Sequence, residues 1–248
     1  MRLICLGAAA LLAASAGTAS AQSSRVELDH VYIVVQPGAE AEVAALRTAG
    51  FSVSREAMRH EGQGTASLAV VFQNMYLELL WVDSTVAVAA DQSVDDYRRA
   101  EAWRATGASP FGVGLRKNAD TVTLAAPAQR HYAEWMQQGT AIEIFTQPQE
   151  MDAFKLFVVP SYMALPAWIA DVKERFPELL AHANGAARVT NVEVHGAARH
   201  RPSAVTMLPI PSFRFVESEA PLVTIEVDGG TRQTIVDFRP ALPLLLRQ

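Results

Sequence analysis

Val26-Glu27-Leu28-Asp29-His30-Val31-Tyr32-Ile33-Val34-Val35 is the stretch on which the fold turns. Its β-branched and aromatic residues mark a strand, and Pro37-Gly38 ends it. A helix is expected from about Ala39 to Thr48, with Val43 and Leu46 on one face and Gly50 as its C-terminal stop. Three further strands are predicted at Phe51 to Ser54, Ser67 to Phe72 and Tyr76 to Val82, with Gln73-Asn74 as a turn. The order is strand, helix, strand, strand, strand.

Outward from that block the pattern is interrupted and then resumes. Ser93 is placed to cap a helix running to Thr106, with Asp95 and Asp96 in its first turn. Phe111 to Arg116 is a candidate strand, Ala128 to Gln138 a candidate helix stopped by Gly139, and Ala141 to Phe145 and Phe154 to Val159 further strands. The order strand, helix, glycine, strand thus occurs twice, which suggests two related modules. Beyond Pro160 a helix is expected over Pro166 to Leu180, broken at Pro177. A strand follows at Val189 to Val194. Leu222 to Val227 and Gln233 to Phe238 flank Asp228-Gly229-Gly230, which predicts a hairpin. Arg239 to Gln248 is read as an extended apolar tail.

Within this layout, His30 and Glu78 each sit in a strand among apolar neighbours. Strand side chains alternate between faces, so Leu28, His30, Tyr32 and Val34 share one face and Tyr76, Glu78, Leu80 and Val82 share another. A carboxylate in such surroundings is costly unless paired or bound to a cation. A His and a Glu on adjacent strands can point into one cavity and hold a divalent metal. They can equally form a hydrogen-bonded pair, and the pattern leaves both readings open.

Leu28-Asp29-His30-Val31, Gly50-Phe51, Gly64-Thr65-Ala66 and Tyr76-Leu77-Glu78-Leu79, in this order and spacing, resemble the glyoxalase-like branch of the vicinal oxygen chelate superfamily. The resemblance is strongest over about 28–82 and extends more loosely through 110–195, including His182-Ala183-Asn184-Gly185-Ala186. It implies an α+β fold in which paired βαβββ modules form a curled mixed sheet around a cavity. The modules would span about 26–84 and 110–195 within a domain of 26–195, followed by a C-terminal β extension, 196–248.

The resemblance also implies a divalent metal (Zn, Mn, Fe or Ni) that acts as a Lewis acid on substrate oxygens. By position, His30 and Glu78 match its ligands in the first module. Substrate would contact His60, Thr65 and Tyr76. The second module departs from the pattern: Phe111 falls near the place equivalent to His30, and Leu156 or Phe157 near that of Glu78. Ligands would then come from elsewhere, with His182 the first candidate and His60 and His195 the others. The implied activity is a lyase, isomerase or dioxygenase type of enzyme. The alternative is a non-catalytic protein that binds or sequesters its ligand in the same cavity without metal.

Composition narrows the partners. The formal net charge is −5, without a run of like charge, which argues against a nucleic-acid partner. No G-x-S-x-G or H-E-x-x-H occurs, so neither a serine-hydrolase elbow nor a helix-borne zinc protease site is supported. Residues 1–21 are read as a cleavable signal peptide: Arg2, the apolar run Leu3 to Ala14, and Ala19-Ser20-Ala21 at the cleavage site. A secreted or periplasmic protein without a membrane anchor is expected. Cys5 is the only cysteine, so its removal leaves only nitrogen and oxygen ligands. Removing Arg2 takes the charge to −6. The expected partner is a small molecule, and with both modules in one chain a monomer or a homodimer is feasible.

Overall fold

The computed structural model describes residues 25–90 and 92–248. The leader read at residues 1–21 lies outside the described residues. The first module runs β1 (Val26–Val34), α1 (Glu40–Thr48), β2 (Met58–His60), β3 (Thr65–Val71) and β4 (Tyr76–Val82). Helix α1 buries Val43 and Leu46 and carries Glu40 and Glu42 in its first turn, where acidic groups complement the helix dipole. It stops at Gly50, whose φ of 83° suits glycine and where a Cβ would press on the Asn184 backbone.

Two short helices, α2 (Asp95–Glu101) and α3 (Trp103–Thr106), bridge to the second module. The single helix expected there breaks at Ala102, and the Ser93 hydroxyl accepts a hydrogen bond from the Asp95 amide at 3.0 Å. The second module contributes β5 (Phe111–Lys117), β6 (Gln129–His131), β7 (Ile142–Ile144) and β8 (Lys155–Val159). Together the modules form an eight-stranded mixed sheet in the order β2-β3-β4-β1-β5-β8-β7-β6. Its two halves meet where β1 runs antiparallel to β5, pairing His30 with Gly114 and Tyr32 with Gly112. The fold is thus the curled mixed sheet of α+β class that the resemblance implied.

Further expectations are corrected. The Ala128 to Gln138 helix is absent: Gln129–His131 is strand β6, paired with β7, and turns follow. Tyr132 and Trp135 are exposed there, so the segment lacks the buried stripe that would hold a helix to the sheet. Phe51 to Ser54 is not a strand, because the Ser52 amide donates to His182 Nδ1 at 3.0 Å instead of to a ladder. Leu222 to Val227 and Gln233 to Phe238 do not form a hairpin. Asp228 turns its carboxylate back to the Ala187 and Arg188 amides, and β13 lies between the two segments.

The chain continues through α4 (Leu165–Arg175), which ends before the predicted break at Pro177, and then β9 (Val189–Gly196), β10 (Phe213–Glu217), β11 (Leu222–Val227), β12 (Ile235–Asp237) and β13 (Leu244–Arg247). These last strands form a second sheet in the order β10-β9-β11-β13-β12. The expected extended tail is therefore a paired strand, β13 lying parallel to β11. The core lies between the sheets. Val31, Ile33, Leu77, Leu79 and Leu115 face it from the first, and Val194, Ile225, Leu244 and Leu246 from the second, all fully buried. The opposite face of the large sheet is left for the cavity. Among the described residues no helix is long and apolar enough to cross a membrane.

Candidate functional site

Alternation along β1 and β4 decides what faces the cavity. Val31, Ile33, Leu77 and Leu79 enter the core, so His30, Tyr32, Tyr76, Glu78 and Leu80 take the other face. The parallel register sets His30 beside Tyr76 and Tyr32 beside Glu78. These residues line a cavity of about 500 Å³. At one end α4 brings Trp168, which meets Tyr76 edge-on at 5.3 Å. At the other end α2 brings Tyr97 against Tyr32 and Leu80. Helix α2 is tied to the second module by ion pairs of 2.5 Å, Asp96 with Lys155 and Arg99 with Asp152.

Glycines make the floor possible. A Cβ at Gly112 would fall within the Tyr32 ring, and one at Gly114 within the His30 imidazole. Strand β5 therefore presents backbone alone to two side chains from β1, whose rings extend across the seam.

His30 is held from behind. Asp29 is the extra residue in a bulge of β1 against β5, where the register shifts between Leu28 and His30. Fully buried, Asp29 places one carboxylate oxygen 2.9 Å from His30 Nδ1, while the other accepts the Leu165 amide at 2.8 Å and lies 3.5 Å from Arg116. His60 is held in a similar way, its Nδ1 2.9 Å from the Thr65 hydroxyl. Both imidazoles direct Nε2 toward Glu78: His30 lies 3.9 Å from Oε2 and His60 3.5 Å from Oε1. Glu78 is only 5 % exposed and has no hydrogen bond among the described residues. One buried carboxylate thus stands between two imidazoles, facing the cavity.

The structure brings together His30, Glu78, His60 and Tyr76, with Thr65 acting through His60. It sets His182 apart. That imidazole packs edge-on against Phe51 and Phe72 and accepts the Ser52 amide, on the core side of the sheet. His195 is on the second sheet, 3.2 Å from Glu193. Phe111, expected opposite a ligand position, is in the core, and glycines 112 and 114 hold the cavity face of β5. Sequence reasoning missed Tyr97, His131, Lys155 and Trp168 as cavity residues. His131 was hidden in the segment read as helix. Tyr32 was legible by its face but was assigned no role.

The metal implied by the family pattern is held between two modules. Here the cavity face of the second module offers Gly112 and Gly114 on β5 and Lys155 and Phe157 on β8. Phe157 packs edge-on against His30 at 5.3 Å, and Lys155 is engaged with Asp96. None of these four is a metal ligand, and His131, on edge strand β6 of the second module, is engaged with the Gln92 side chain at 3.1 Å, so β5 and β8, the strands equivalent to β1 and β4, supply nothing to a metal shared by both modules. Among the described residues no group of three or more His, Cys, Asp or Glu is arranged to hold a metal ion.

A family model for the glyoxalase-like domain matches residues 28–206, and the chain belongs to that family, within the vicinal oxygen chelate superfamily. The superfamily often uses divalent metals. Among solved structures, the chain is similar to a hypothetical protein from Staphylococcus aureus. The two are 10 % identical with a TM-score of 0.48, over 90 % of this chain and 98 % of that one. No curated protein matches the chain.

Proposed function

We propose that the cavity binds a small organic molecule with an oxygen function, and that Glu78 exchanges a proton with it. The observation that carries this reading is the buried Glu78 carboxylate, without a hydrogen bond among the described residues and open to the cavity. A buried carboxylate so placed is costly, and costs of this kind are concentrated where chemistry is done. Glu78 suits removal of a proton beside a carbonyl, with the His30 and His60 imidazoles 3.9 and 3.5 Å from its carboxylate oxygens. The apolar walls, Phe157 and Trp168 among them, suit the body of such a molecule. The sequence of residues 1–21 supports an exported protein acting on material outside the cytoplasm.

The test is exchange of solvent deuterium into the carbon next to the carbonyl of small ketones and aldehydes, followed by NMR. The parent is expected to catalyse exchange for at least one compound, and Glu78→Gln to reduce the rate by about 100-fold or more. The melting temperature of Glu78→Gln should hold or rise, because no hydrogen bond is lost. Metal content of the same samples is measured in parallel. Stoichiometric metal, lost in both His30→Ala and Glu78→Ala, would replace proton exchange with cation binding at these residues. Ligand binding without exchange or metal would make the protein a carrier.

A further inference from the structure

We infer that Tyr32 is a ligand-contacting residue, whose hydroxyl donates a hydrogen bond to an acceptor oxygen of the molecule bound beside Glu78. This rests on the cavity reading above and specifies its ligand as a carbonyl compound.

Tyr32 is 5 % exposed, and its hydroxyl has no hydrogen-bond partner among the described residues. A buried phenol normally finds one. The hydroxyl is not sealed inside protein either. Among the described residues, fully enclosed side-chain nitrogens or oxygens without a partner are confined to Arg99, His182, His200 and Gln248. Tyr32 lines the cavity, so its hydroxyl opens into that space.

Two further observations aim it. Tyr32 and Glu78 are direct neighbours in the register of β1 and β4. A donor and a proton acceptor on adjacent strands of one face can serve neighbouring atoms of a single molecule. Glycine at 112 gives the ring its place across β5, where any other residue would displace it. Burial, with Tyr97, Glu78 and Asp96 nearby, raises the phenol well above its ordinary range. It stays protonated, and so a donor, at all ordinary pH. In proton exchange the C–H bond beside the carbonyl breaks, its proton passes to Glu78, and the electron pair moves toward the carbonyl oxygen. A donor at that oxygen stabilises the developing charge.

The hydroxyl of Tyr76 also has no partner among the described residues, but its ring is stacked on His30 at 4.6 Å and its register neighbour is His30, not Glu78. Tyr76 is therefore the rival donor from which the test must separate Tyr32.

The test compares acetophenone with α-methylstyrene, which has nearly the same shape but lacks the oxygen. Affinities are measured for the parent, Tyr32→Phe and Tyr76→Phe. The parent should prefer the ketone by about tenfold, the value of one well-made hydrogen bond. Tyr32→Phe should bring the two affinities together without lowering the melting temperature. Bound ketone labelled at its carbonyl should show a lowered infrared stretching frequency in the parent, a readout independent of any variant's folding. An unchanged preference in Tyr32→Phe, or one lost in Tyr76→Phe alone, overturns the assignment while the cavity reading stands. No lowering of the stretch in the parent also overturns it. If neither compound binds the parent, the assignment falls, and the deuterium-exchange test decides the cavity reading separately.

Discussion

Asp29 shows how much a single residue contributes to the site. Read as a regular strand, β1 would point Asp29 away from His30. The bulge lets its carboxylate reach His30 Nδ1 while it also accepts the first amide of α4. Asp29→Ala leaves that amide and Arg116 without their buried partner. It should cost about 3 kcal/mol or more in chemical denaturation and weaken ligand binding through the freed imidazole. His182 is a different case. Burial lowers its pKa from the ordinary 6.5. Just below pH 6.5 the unfolded chain therefore takes up a proton that the folded chain refuses. Stability falls as pH drops through this window and levels off below the folded value. Urea midpoints at about pH 7.5 and about pH 5.5 should differ less in His182→Phe than in the parent. His30 and Glu78 were legible because a polar residue amid apolar strand neighbours stands out. The surroundings of His182 were not, since its contacts come from Ser52, Phe51 and Phe72, far away in sequence.

At the scale of elements, β5 is decisive. Phe111-Gly112-Val113-Gly114-Leu115 alternates bulk with glycine, and the register turns that alternation into a packed side and an open side. Gly114→Ala should cost about 1–3 kcal/mol as the His30 ring is displaced. Its ligand affinity should fall further than its melting temperature alone would imply. The first-module elements were legible from periodicity and the glycine stop. The missing second-module helix was not. Apolar residues over 128–138 fit a helical stripe on paper, yet pairing of Gln129–His131 with β7 prevails, as tertiary context often overrides local preference. The absent hairpin has a similar cause, because no local signal announces that a later strand will insert.

At the scale of the molecule, the second sheet supports the first from behind. Leu244 and Leu246 of β13 are fully buried in the core that the sheets share. Leu246→Ala should cost about 2–5 kcal/mol in denaturant unfolding and leave ligand preference unchanged, since Leu246 lies in the shared core and is not one of the cavity-lining residues. The opposite pairing of effects is expected for Tyr32→Phe, so the two variants together separate support from recognition. The junction of the modules also bears on how the chain reaches this state. β1 pairs with β5 from Val26–Lys117 to Ile33–Phe111, so its outer edge stays open until a segment far along the chain arrives. Such non-local closure is slow, and an open apolar edge invites the same strand of another copy. The strand that carries His30 is therefore exposed to misassociation in a half-folded chain. Completing the site and escaping aggregation are a single kinetic event.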